Sequence, residues 1–165
     1  MNGAHWHLVL NHLPIIMPMA GFILLILSFF VKHQEYARAA YFLFIVGALA
    51  TIPAFLTGEG AEETIEGIAG IDENFIHRHE EAAELFAICN YVLGFLSLVG
   101  IWAYFYKQQF NQVIKYIVFL AALFVFFIGK QAGTTGGEIR HTEIRSGVSA
   151  PGSSGLETQE DGDDD

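Results

Sequence analysis

Residues 13–31 read LPIIMPMAGFILLILSFFV, nineteen consecutive residues without a charged side chain. A helix of this length extends about 28 Å, close to the ~30 Å hydrocarbon core of a bilayer. The stretch therefore predicts a transmembrane helix. Three further apolar blocks follow it, at residues 39–57, 82–106 and 113–129, and none carries more than one charge.

The distribution of charge supports the same fold class. The chain is 53% hydrophobic yet has a net charge of −10, and nearly all of its charge lies between or after the four blocks. A soluble domain of 165 residues is too small to bury four helices that are apolar on every side. We therefore predict an all-α integral membrane four-helix bundle over residues 1–145. Residues 146–165, rich in Gly, Ser and acid, predict a disordered acidic tail.

The basic residues indicate how the bundle lies in its membrane. The link after the first block contains Lys32 and Arg38, and the link before the fourth is flanked by Lys107 and Lys115. The link at residues 58–81 is instead strongly acidic. Because Lys and Arg are enriched in cytoplasmic links, both termini and the acidic link are expected outside.

Six of the seven histidines fall on the predicted outer side. They are the residues before the first and third blocks and after the fourth, namely His5, His7, His12, His77, His79 and His141. Neutral imidazole is a common ligand of transition metals and of haem iron. The arrangement therefore predicts a cofactor site at this end of the bundle.

Helical spacing selects His79 from the pair that precedes the third block. At about 100° per residue, His79 lies within about 60° of Asn90, Gly94 and Ser97, a small and polar stripe that suits helix packing. His77 lies about 160° from that stripe and should face headgroups or the acidic link. We therefore expect His79 to point into the bundle.

The first segment offers two histidines on one face. His5 and His12 are seven residues apart and share a face with Met19 if the helix extends that far. His7 is the least constrained of the three. His141 follows Gly133-Thr-Thr-Gly-Gly137, which we expect to be a flexible connection that lets His141 fold back over the bundle.

These positions predict the ligands of a haem. His12 and His79 form one axial pair, and His5 with His141 would form another. The sequence has no Cys-x-x-Cys-His motif, so the haem would be b-type. Zinc or copper held by the same histidines and nearby Glu residues is an alternative, and so is a structural subunit whose acidic link docks a partner.

The sequence lacks the usual signatures of other functions. It contains no Gly-x-Ser-x-Gly elbow, no phosphate-binding loop and no dinucleotide fingerprint, and it has no basic patch for nucleic acid. Whether the protein is an enzyme stays open. Membrane lipid is an expected partner, together with other subunits of a redox complex or a basic soluble electron carrier.

Several short motifs resemble a family of small bacterial four-helix membrane proteins known as a domain of unknown function. They are His5-Trp-His7, Asn11-His-Leu-Pro-Ile15, Phe55-Leu-Thr-Gly58, His79, and Gly136-Gly-Glu138 followed by His141. The resemblance covers roughly residues 5–145. It implies a b-type cytochrome-like subunit in a bacterial inner membrane, with His12, His79, His141 and His5 as the positions to test.

Overall fold

The computed structural model describes residues 2–145 except residues 32, 66, 67, 69, 70 and 107. These residues form helices and no strands. The α-helices are α1 (Gly3–Leu10), α2 (Leu13–Phe30), α3 (Glu35–Leu56), α4 (Gly58–Ile65), α5 (Glu73–Tyr106) and α6 (Asn111–Arg140). Short 3₁₀ turns occupy Gln108–Phe110 and Thr142–Ile144. The tail predicted at residues 146–165 lies outside the described residues.

Four helical stretches are long and apolar enough to cross a membrane. They are Gly3–Phe30, Glu35–Ile65, Glu73–Tyr106 and Asn111–Arg140, with mean hydropathies between 2.0 and 2.4. The first joins α1 to α2, and the second joins α3 to α4. The predicted fold class, an all-α membrane bundle with four spans, is confirmed.

The four long helices pack in a ring. Helix α2 packs on α3, α3 on α5 and α5 on α6, whereas the contact between α6 and α2 is slighter. The core between them is formed by buried apolar residues, and the largest of those that are fully buried are Tyr41, Phe44, Leu25, Leu93 and Val118. The ring is therefore loosest between its first and last long helices.

Glycines bring neighbouring helices close together. A Cβ added to Gly94 of α5 would lie 2.5 Å from the Cβ of Ala48 in α3. A Cβ on Gly100 would lie 2.7 Å from the Tyr41 ring. Lipid tails are as apolar as the side chains, so the hydrophobic effect does not drive helices together inside a membrane. Close approach of the backbones and van der Waals contact stabilise such packing instead.

A buried asparagine ties three helices together around a proline. Pro18 lies inside α2 and has no N–H, so the carbonyl of Pro14 loses its usual helical donor. Asn90 of α5 is fully buried, and its Nδ2 donates to that carbonyl at 3.3 Å and to Thr51 Oγ1 of α3 at 2.8 Å. The amide therefore satisfies a backbone group that the proline freed inside the membrane.

Helix α6 corrects one expectation from the sequence. Residues 133–137 continue the helix, which ends only at Arg140, and Thr135 and Glu138 are buried. Glycine costs about 1 kcal/mol relative to alanine inside a helix. Packing against α5 offsets this cost, since Gly136 lies directly against the ring of His79. The segment is not a flexible connection, and it does not fold His141 back over the bundle.

Candidate metal or haem site

His79 projects from α5 toward α6 and is partly buried. Its Nδ1 lies 3.3 Å from Oγ1 of Thr135. The Thr135 hydroxyl itself lies 3.1 Å from the carbonyls of Gln131 and Ala132, to which it donates. With that hydroxyl donating to a backbone carbonyl, Thr135 can accept from the imidazole, and the tautomer with its proton on Nδ1 then leaves Nε2 unprotonated.

His7 reaches across from α1 to the end of α3. It is partly buried, and its Nδ1 lies 3.0 Å from the carbonyl of Ala54 and 3.4 Å from Thr57 Oγ1. A carbonyl only accepts, so the neutral ring carries its proton on Nδ1 and leaves Nε2 unprotonated. The imidazole thereby caps one of the carbonyls that the last turn of a helix leaves without a donor.

The two imidazoles lie at the same end of the bundle, His7 against the end of α3 and His79 against α6. Each ring is also flanked by a glycine: a Cβ on Gly58 would lie 3.9 Å from His7 Cε1, and a Cβ on Gly136 would lie 3.0 Å from His79 Cε1. The structure therefore places one imidazole from α1 and one from α5 at this end of the bundle.

The position of α1 depends on a close contact with α4. The carbonyl of Gly60 occupies the space that a Cβ on Gly3 would need. Asn2 caps α1 by accepting from the backbone N–H of His5 at 3.1 Å. Helix α1 is thus held against α4 without a side chain between them, and this contact fixes where His7 lies.

The other histidines of the first segment face outward. His12 is exposed, and its Nδ1 lies 3.1 Å from the carbonyl of Leu8 in the preceding turn. His5 is exposed too, as is Met19 on the same face. In the part of the chain that the structure describes, His12 contacts its own segment rather than α5. Its pairing with His79 therefore stays a prediction.

His141 and His77 belong to the charged surface. His141 follows the last residue of α6, is exposed, and lies 2.9 Å from the Glu143 carboxylate. The pKa of Glu143 is lowered by the residue's own backbone N–H and then by the bond to His141. His77 is exposed and lies 3.7 Å from Glu80 and 3.5 Å from Glu81. The predicted pairing of His5 with His141 also stays a prediction.

A comparison with known protein families agrees with this fold. Residues 4–145 match the family described as "Predicted membrane protein (DUF2231)". The chain belongs to that family. No curated protein and no solved structure matches the chain. The predicted membership of a membrane domain of unknown function is confirmed, while the cytochrome-like character of this DUF2231 member stays a prediction.

The sequence did contain a pattern that indicates His7. In this DUF2231 member the buried residues of α2 include Pro14, Pro18, Gly21 and Leu25. His7 lies seven residues before Pro14, so it continues the same stripe by helical spacing. The reasoning that selected His79 from its small and polar stripe would have selected His7 in the same way.

The number of protein ligands bears on the kind of cofactor. No group of three or more His, Cys, Asp or Glu side chains suitable for a metal occurs among the residues placed by the structure. Zinc sites in proteins usually have three or four protein ligands. A haem needs only two axial ligands from the chain, because the porphyrin supplies the rest. Two imidazoles would therefore supply both axial ligands of a haem, whereas a zinc ion would need further ligands.

Proposed function

We propose that this protein is a membrane-embedded b-type haem protein that transfers electrons, alone or as a subunit of a redox complex. His7 and His79 would be the axial ligands. The observation that supports this most directly is the hydrogen bonding of both rings, which commits each Nδ1–H to an acceptor. Metal-binding histidines nearly always have such a partner, which fixes the tautomer and the ring orientation.

The surrounding residues would hold the rings in place. Ala54 and Thr135 accept the two Nδ1–H bonds, and Gly136 gives the His79 ring a flat backing. When bound, the haem would supply one-electron chemistry. The chain's own contribution would be to present two unprotonated Nε2 atoms and to keep the rings from rotating.

Absorption spectroscopy of the purified, dithionite-reduced protein tests the proposal. A sharp b-type band is expected for the native chain. His7→Ala and His79→Ala should each abolish or strongly weaken it. His5→Ala, His12→Ala and His141→Ala are matched controls and should retain the band. Loss of the band in His12→Ala with retention in His7→Ala would refute the axial pair and favour the pairing with His12.

Two other outcomes would support the alternatives. A metal assay that finds zinc or copper without a haem band would favour a non-haem site that uses the same imidazoles. Neither haem nor metal would favour a structural subunit. In that case His7 and His79 serve helix packing alone, and the acidic surface near Glu80 and Glu81 docks a basic partner.

We further propose that the protein lies in a bacterial inner membrane with both termini outside. The basic residues Lys32 and Lys107 in the short links, and Arg38 in the first turn of α3, support this orientation. Cys89 is the only cysteine, so a Cys89→Ser background allows single cysteines to be placed at will. A cysteine at Asn74 should react with a membrane-impermeant reagent in whole cells, and one at Gln34 should not. The reverse pattern would invert the orientation.

A further inference from the structure

A crevice lies where the ring of helices is loosest, between α2 and α6. Its volume is about 300 Å³, and we call it the α2–α6 crevice. Its walls are mostly apolar, and the ring of buried Phe86 from α5 contributes to them. The residues that line it include Pro18, Phe22, Phe86, Val125, Lys130 and Gly133.

A cation lies at one end of the crevice. Lys130 is the first charged residue after the apolar stretch of α6, so we expect its amine to lie where the hydrocarbon meets the headgroups. Lys130 is exposed and forms no ion pair within the described chain. Lys115, at the other end of α6, instead donates to the Ser28 carbonyl and lies over the Phe29 ring.

The crevice is open where it approaches this cation. A Cβ on Gly133 would meet no atom within 4 Å. Away from Lys130, the walls are apolar and include Val125 of α6 and Phe22 of α2. An occupant therefore needs an apolar chain along the helices and a negative group beside the amine.

We propose that the α2–α6 crevice is a binding site for an anionic phospholipid. One acyl chain would lie along Phe22 and Val125, and the headgroup would pair with Lys130. The unpaired charge at headgroup level argues for an anion, and the apolar walls argue for an acyl chain. This site is separate from the imidazole pair and does not depend on a haem.

Native mass spectrometry of the full chain in detergent can measure the preference for lipids of defined headgroup. The native protein should bind a phosphatidylglycerol more tightly than a phosphatidylcholine with the same acyl chains. Lys130→Gln should reduce the affinity for the anionic lipid about fivefold, which corresponds to about 1 kcal/mol for one charge at the membrane surface. Lys130→Arg should retain the preference.

A second pair of variants tests the crevice itself. Gly133→Leu places a side chain in the open space and should weaken the binding of both lipids. Thr134→Leu adds comparable bulk at an exposed position beside the crevice and should bind as the native chain does.

Three results would overturn the proposal. The first is an unchanged headgroup preference in Lys130→Gln, and the second is equal binding in Gly133→Leu and Thr134→Leu. The third is displacement of the anionic lipid by a neutral isoprenoid quinone, to the same extent in the native protein and in Lys130→Gln. That result would indicate that the occupant is a neutral amphiphile.

Discussion

The hydrogen bond from Asn90 to the Pro14 carbonyl, which lacks a helical donor because residue 18 is proline, leads to a quantitative prediction. Asn90→Leu keeps a similar volume but removes the bonds to Pro14 and Thr51. Hydrogen bonds between helices in a membrane contribute about 0.6 kcal/mol each on average and about 1.7 at most. The substitution should therefore lower the free energy of unfolding by about 1 kcal/mol.

Asn90→Leu should lower the free energy of unfolding by less when residue 18 is not proline. In Pro18→Ala, the new N–H of residue 18 can donate to the Pro14 carbonyl within α2, so Asn90 is no longer its donor. Only the bond to Thr51 is then lost in Asn90→Leu. The double-mutant cycle should give a coupling of about 0.6 kcal/mol between residues 18 and 90.

Reversible unfolding in mixed micelles, followed by circular dichroism, measures all four members of the cycle. Ser97→Ala is the control, because Ser97 is equally buried on the same face of α5 but donates only to Leu93 in its own helix. It should cost less than Asn90→Leu. A coupling of zero, or an equal loss in the control, would refute the view that the asparagine stabilises the bundle by satisfying the freed carbonyl.

The glycines of the bundle should respond to substitution in opposite ways. Gly94→Ala should destabilise the protein in the same unfolding assay, because the new methyl would lie 2.5 Å from Ala48 and force α3 and α5 apart. Gly133→Ala should instead stabilise it by up to about 1 kcal/mol, because its methyl enters open space and alanine favours helix; a loss of stability would contradict this. Gly136→Ala should displace the ring of His79, with its methyl 3.0 Å from Cε1, and shift the ¹⁵N NMR signals of that imidazole. Unchanged signals would contradict the close packing.

The sequence predicted the four spans well, because uncharged length depends on composition alone. It predicted the extent of α6 poorly. The run at residues 133–137 contains three glycines and two threonines, which are weak helix formers, so local preference indicated a loop. What decides the outcome is contact with α5, including the packing of Gly136 on His79, and sequence from one helix does not show such contact.

The sequence predicted the surroundings of His79 but not those of His7. The small and polar stripe on α5 correctly indicated that His79 turns toward other helices. On the first segment, the regular spacing of His5 and His12 marks a face that is exposed in the structure, and their role as ligands stays a prediction. His7 continues the buried stripe, but its bond to Ala54 depends on where α3 ends and how α1 meets α4, and neither can be read from local periodicity.

The backbone contact between Gly3 and Gly60 has a practical consequence for anyone who redesigns this protein. A methyl group at residue 3 would collide with the backbone of Gly60, push α1 off α4 and carry His7 away from its acceptor. Mutational libraries that sample only the polar residues around the two rings would miss the effect of this contact. Saturation mutagenesis of Gly3 and Gly60 would show how the distance between α1 and α4 affects the position of the His7 ring.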